Sequence, residues 1–156
     1  MVFTEIKERN RRLYYYRVNS FREGLKVKKK RVYLGADLTK DELSYKEREA
    51  DKSILSEKIE KNIKKIKPII IKVLKKYKIE RAGIFGSYAH GEEKKNSDID
   101  LLISHPKSPK GQGFGFVSIE YDLKFALKKK VDLVTYKSLS PYLKERILSE
   151  EIRILW

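Results

Sequence analysis

The spacing of apolar positions changes along the chain, and the predicted elements change with it. Leu13 to Phe21 is dense in aromatic residues, with Arg22-Glu23-Gly24 as a glycine-containing turn. Lys26-Val27-Lys28 then alternates, and Arg31 to Gly35 closes a second extended run. These features predict a β-hairpin with basic residues on one side and apolar ones on the other. Two strands alone are marginal in water, so the hairpin must pack on something. From Leu55 the step lengthens. Leu55, Ile59, Ile63, Ile66, Ile70, Val73 and Tyr77 recur every three or four residues, one stripe of a helix. Thr39-Lys40-Asp41-Glu42 reads as the capping box that starts helical structure. Pro68 interrupts the stripe and predicts a kink or break near Lys67.

After Lys78 shorter elements follow. Ile79 to Phe85 reads as a buried strand ended by Gly86, and Ser97 to Ile103 as a second strand. Ser104 to Phe116, with two Pro and three Gly, reads as a flexible loop. Val117 to Lys129 is amphipathic through Ile119, Leu123, Ala126 and Leu127, and Val131 to Val134 is a third short strand. Ser140-Pro141 opens a helix through Leu148, and Ile152 to Trp156 is a final extended piece.

Charge adds a division to this picture. The net charge is +15, and residues 1–35 hold eleven Lys and Arg against three acids, more than half of the surplus. That marks a separate functional unit and predicts an anionic partner, with nucleic acid, nucleotide phosphates and acidic protein surfaces all open. The Lys-rich polar face of the long helical region reads as a solvated surface. The chain has no Cys, which excludes disulfides, thiolate zinc sites and cysteine nucleophiles. With only His90 and His105, a metal would be held mostly by carboxylates, which favours a hard cation such as Mg²⁺. No apolar run approaches a membrane span and the N-terminus has no signal-peptide core, so a soluble, cytoplasmic chain without membrane association is expected.

Gly83-Ile84-Phe85-Gly86-Ser87-Tyr88-Ala89-His90-Gly91 and Ser97-Asp98-Ile99-Asp100 carry the chemistry. Gly86-Ser87 falls at a strand-to-helix turn, where backbone N–H groups and a hydroxyl can face a phosphate. Asp98 and Asp100 are two apart on the expected strand, which puts both carboxylates on one face. Such a pair repels itself unless a cation lies between them. Asp132, inside Val131-Asp132-Leu133-Val134, is a third acid that calls for a partner or a metal. Three carboxylates on adjacent strands can hold two ions, an arrangement suited to phosphoryl chemistry. His90 reads as a polar residue on a short helix.

Gly86-Ser87, ten intervening residues, then Asp-x-Asp resembles the signature of the DNA polymerase β-like nucleotidyltransferase superfamily. Within it the chain is most similar to the minimal nucleotidyltransferases, the antitoxins paired with HEPN toxins. Phe85, Gly91, Ser97, the run Lys130 to Thr135 and Leu139-Ser140-Pro141 also fit, and the likeness spans roughly residues 62–156. It implies an α+β fold: a small mixed β-sheet with helices packed on one face, here preceded by the N-terminal β-hairpin and a long helix. The chain is expected to divide into a basic extension (1–36), a helical connector (37–61) and a nucleotidyltransferase domain (62–156). The resemblance further implies transfer of AMP from ATP to a tyrosine hydroxyl of a partner protein, a HEPN toxin. Gly86 and Ser87 would bind the nucleotide. Asp98, Asp100 and Asp132 would be catalytic and would bind Mg²⁺, with two ions, Asp132 also assisting deprotonation of the acceptor. Relatives often carry Arg where this chain has His90. The alternative is a non-catalytic antitoxin, or a nucleic-acid-binding module acting through residues 1–35, whose basic residues are interleaved with aromatics.

Overall fold

The computed structural model describes residues 1–104 and 115–156. Its described residues form two compact units, Met1–Glu57 and Lys58–Trp156.

The first unit contains the expected hairpin, built from β2 (Arg12–Glu23) and β3 (Lys26–Ala36), and a further strand, β1 (Val2–Arg9), that the sequence pattern did not reveal. The three pair antiparallel in chain order. Asn10 and Arg11, at φ 52° and 62°, make the tight turn between β1 and β2, a two-residue connection whose positive φ values match strand twist. The helix α1 (Lys40–Lys76) begins in this unit. Its start is the expected capping box: Thr39 N–H donates to Glu42 Oε2 at 2.9 Å, and Glu42 N–H donates to Thr39 Oγ1 at 3.3 Å. The sheet packs on this part of α1. Tyr15, Leu34 and Ala50 form a small buried cluster with Val32, Leu38 and Leu43 around it. Arg17 donates twice to Asp51, at 2.8 and 2.7 Å, and once to Glu47 at 3.2 Å. Arg12 pairs with Asp37 and Arg31 with Glu5. Arg12, Arg17 and Arg31 of the basic segment therefore neutralise acids inside their own unit.

α1 runs through Pro68 unbroken, so of the expected kink or break near Lys67 the break does not occur. The missing N–H leaves the Lys64 carbonyl without its helical donor, and both residues are exposed, where water can serve that carbonyl. Buried side chains on both sides of Pro68, Ile63 and then Ile70 and Leu74, hold the helix on the core.

The second unit is a four-stranded sheet, β4 (Ala82–Phe85), β5 (Ile99–Ile103), β6 (Val131–Thr135) and β7 (Ile152–Leu155), in the order β6-β5-β4-β7. β5 and β6 run parallel because α3 (Gly115–Leu127) crosses over between them; the other pairs are antiparallel. The short helix α2 (Ser87–His90) follows β4, and α4 (Pro141–Glu150) leads into β7. This is the α+β mixed sheet expected. Ile70, Leu74, Ile84, Leu101, Ile119 and Leu123 are fully removed from solvent at its core.

Strand starts differ from expectation. β4 begins at Ala82 and β5 at Ile99, so Ser97 and Asp98 precede the strand instead of lying in it. Ala126 is exposed, and Ser140 precedes Pro141 without a side-chain capping bond. Of the expected loop Ser104 to Phe116, Gly115 and Phe116 belong to α3. The rest, apart from Ser104 and including His105, lies outside the described residues.

Candidate active site

Three chain segments bring the acids together. β5 and β6 pair in register so that Asp100 lies directly opposite Asp132. On its other side Asp100 is the register partner of Phe85, the last residue of β4, so the turn at Gly86 opens beside it. Ile99, Leu101, Leu102 and Ile103 are fully buried, which fixes the strand and leaves Asp100 half-buried at its rim. Asp98 and Asp132 are exposed. The sequence pattern had called for a partner to Asp132, but its exposure removes that need on grounds of burial. Its significance is the carboxylate opposite.

The charges couple. The Asp100 carboxyl is raised above the ordinary aspartate range, first by burial, then by the negative charges of Asp132, Asp98 and Glu150. A hydrogen bond from the Ser87 backbone N–H opposes this rise. Among the described residues, no three such side chains converge closely enough to enclose an ion as they stand. The donor set is nonetheless all oxygen, and its mutual repulsion is what a hard divalent cation relieves. A shallow depression along α1, lined by Lys64, Lys67, Pro68, Ile71, Lys72 and Lys75, contains none of these acids.

Gly86 is indispensable to this packing. It sits at φ 66°, ψ −144°, a region closed to other residues. A Cβ there would also stand 3.0 Å from Cγ of Asp100 and closer still to Oδ2. Ser87 opens α2, whose single turn is tied down from outside. Lys58 donates to the Gly91 carbonyl, and Asn62 donates to Glu93 at 2.7 Å. The sequence had offered the backbone N–H groups of Gly86 and Ser87 to a phosphate. Here the Gly86 N–H is taken by Glu150 Oε1 at 3.3 Å, and the Ser87 N–H faces the Asp100 carboxylate. The Ser87 N–H and hydroxyl remain the candidate phosphate contacts of this pair.

Glu150 is the residue that sequence reasoning missed. Its second oxygen, Oε2, accepts a hydrogen bond from His90 Nε2 at 2.6 Å, so His90 is more than a polar surface residue. One signal was present. Glu150 and Glu151 end a helix whose C-terminal dipole disfavours acids, which asks for local compensation.

The model of the polymerase beta nucleotidyltransferase family matches residues 68–155, a span that contains Gly86, Ser87 and all three aspartates. The chain belongs to this family. Among curated relatives of this nucleotidyltransferase, a Methanocaldococcus jannaschii protein named "Putative protein adenylyltransferase MJ0435" is 44% identical over 97 residues, which cover 60% of this chain and 99% of the relative. "Protein adenylyltransferase MntA" of Thermococcus cleftensis is 32% identical over 79 residues, 51% of this chain and 78% of the relative. A solved structure described as a "putative minimal nucleotidyltransferase" aligns with a TM-score of 0.50 at 26% identity, covering 59% of this chain and 92% of that one. No helix among the described residues is long and apolar enough to cross a membrane.

Proposed function

We propose that this chain is a protein adenylyltransferase that moves AMP from ATP to a tyrosine hydroxyl of a partner protein, a HEPN toxin, and so acts as an antitoxin in the cytoplasm. The nucleotidyltransferase domain is residues 62–156, with 1–36 as an extension and 37–61 as a helical connector. The observation that carries this reading is the register pairing of Asp100 with Asp132 beside the Gly86 turn. The names of the relatives support the choice of protein as acceptor.

In the proposed reaction the tyrosine oxygen attacks the α-phosphorus of ATP. A new P–O bond forms, the bond between the α-phosphorus and the bridging oxygen breaks, and pyrophosphate leaves with that electron pair. The hydroxyl proton passes to Asp132. Asp98, Asp100 and Asp132 would hold Mg²⁺, with two ions, which supplies charge neutralisation at the phosphates when bound. Ser87 contacts the phosphates through its hydroxyl, and Gly86 permits the close approach of Asp100. Nucleic acid does not enter this reading, since Arg12, Arg17 and Arg31 are already paired with acids.

Asp132→Asn tests the assignment. A group used mainly in the transition state lowers the rate with little loss of ground-state affinity. The expected result is ATP affinity within about threefold of the parent and a transfer rate reduced by about 100-fold or more. Equal losses of affinity and rate would contradict the role given to Asp132.

A further inference from the structure

We propose that Glu150 is a positioning residue for the nucleotide-binding turn, clamping it from the C-terminal end of α4. The inference deepens the nucleotidyltransferase reading and rests on it for the identity of the nucleotide. The clamp is bidentate. Oε1 accepts from Gly86 N–H at 3.3 Å, at the entry to α2, and Oε2 accepts from His90 Nε2 at 2.6 Å, at its last residue. The Glu150 side chain is only 12% exposed.

The turn needs such a tie. α2 has four residues, too few to be stable through its own hydrogen bonds. Gly86 has the widest conformational freedom of any residue and is held in one uncommon region. The Ser87 N–H lies beside the Asp100 carboxylate, and Glu150 holds the residues before and at the end of the turn. The orientation of the Ser87 hydroxyl follows from both. Neighbouring Glu151 anchors the same junction differently. Its side chain fills the space a Cβ on Gly83 would need, with Cγ and Cδ both inside contact distance, and it accepts a hydrogen bond from Tyr136 Oη. Two successive glutamates thus bind the start of β7 to β4, one toward the turn and one over the strand.

Electrostatics argues against a merely incidental contact. Glu150 adds negative charge beside Asp100 and sits at the unfavourable end of a helix dipole. Its hydrogen bonds to Gly86 and His90 offset that placement.

The test compares Glu150→Ala and Glu150→Gln in the full chain, by amide hydrogen exchange and by calorimetry with MgATP. The alanine loses both bonds. Glutamine keeps an acceptor for Gly86 N–H and offers an N–H to His90 in its other tautomer. For Glu150→Ala we expect exchange at Gly86 and Ser87 to accelerate about tenfold or more, with MgATP affinity about tenfold weaker. Leu101 to Ile103 of β5 should keep their protection, and Glu150→Gln should restore both quantities to within about threefold. Unchanged exchange at Gly86 in Glu150→Ala overturns the proposal, as does acceleration shared equally by β4 and β5, or a failure of Gln to rescue. If the parent chain itself binds no MgATP, the nucleotidyltransferase reading fails, while the exchange data still decide whether Glu150 holds the turn.

Discussion

Gly86 and Asp100 share a space that only glycine leaves open: a Cβ at position 86 would stand 3.0 Å from Cγ of Asp100 and nearer to its Oδ2. The backbone at Gly86 adds a second barrier, since φ 66° with ψ −144° is a glycine region. Gly86→Ala should therefore cost about 2 kcal/mol or more of stability and displace the Asp100 carboxylate. Chemical denaturation measures the first effect and MgATP calorimetry the second. Stability and binding both equal to the parent would contradict this packing.

Asp100 gives a pH prediction. Its carboxyl is raised above the ordinary value of 3.8, by burial first and then by Asp132, Asp98 and Glu150. The folded state therefore holds this proton more tightly than the unfolded state. Stability of the ion-free protein falls as pH rises from the ordinary carboxylate value through the raised one, above which the penalty is fully present. Asp100→Asn removes it while keeping an oxygen that can accept from Ser87 N–H. In chelator, the variant should melt higher than the parent at pH 7, and the gap should close as pH falls below about 4. A lower melting temperature for the variant at pH 7 would contradict the repulsion.

The N-terminal sheet should behave as a packed element. Arg17 bonds to Asp51 and Glu47 of α1, and its side chain is 17% exposed. Arg17→Ala should destabilise residues 1–57 by about 2 kcal/mol, because it leaves two partly buried carboxylates without their cation. Amide exchange of β2 and β3 should accelerate while β4 to β6 stay protected. No change in β2 and β3 would mean that the pair contributes little.

Much of this was legible in the sequence, for identifiable reasons. The stripe from Ile59 to Val73 and the capping box at Thr39 are local patterns, and both appear in α1. The Gly86-Ser87 and Asp-x-Asp spacing located the turn and the acids because their chemistry depends on short-range geometry. What escaped depended on distant contacts. β1 has weak patterning of its own and is defined by its pairing with β2. Pro68 looked like a breaker because sequence alone cannot show that the orphaned Lys64 carbonyl faces water. Glu150 lies 64 residues from Gly86, so only the fold brings them together.

Intact-mass spectrometry of a HEPN-type partner incubated with this chain, ATP and Mg²⁺ tests the central claim most directly. The account predicts a mass gain of one AMP per modified tyrosine. The gain should be absent with chelator, and reduced by about 100-fold or more with Asp100→Asn, since loss of a direct ion ligand exceeds the usual effect of an outer-shell partner. No AMP adduct from the parent chain, or an adduct formed equally well by Asp100→Asn, would contradict it.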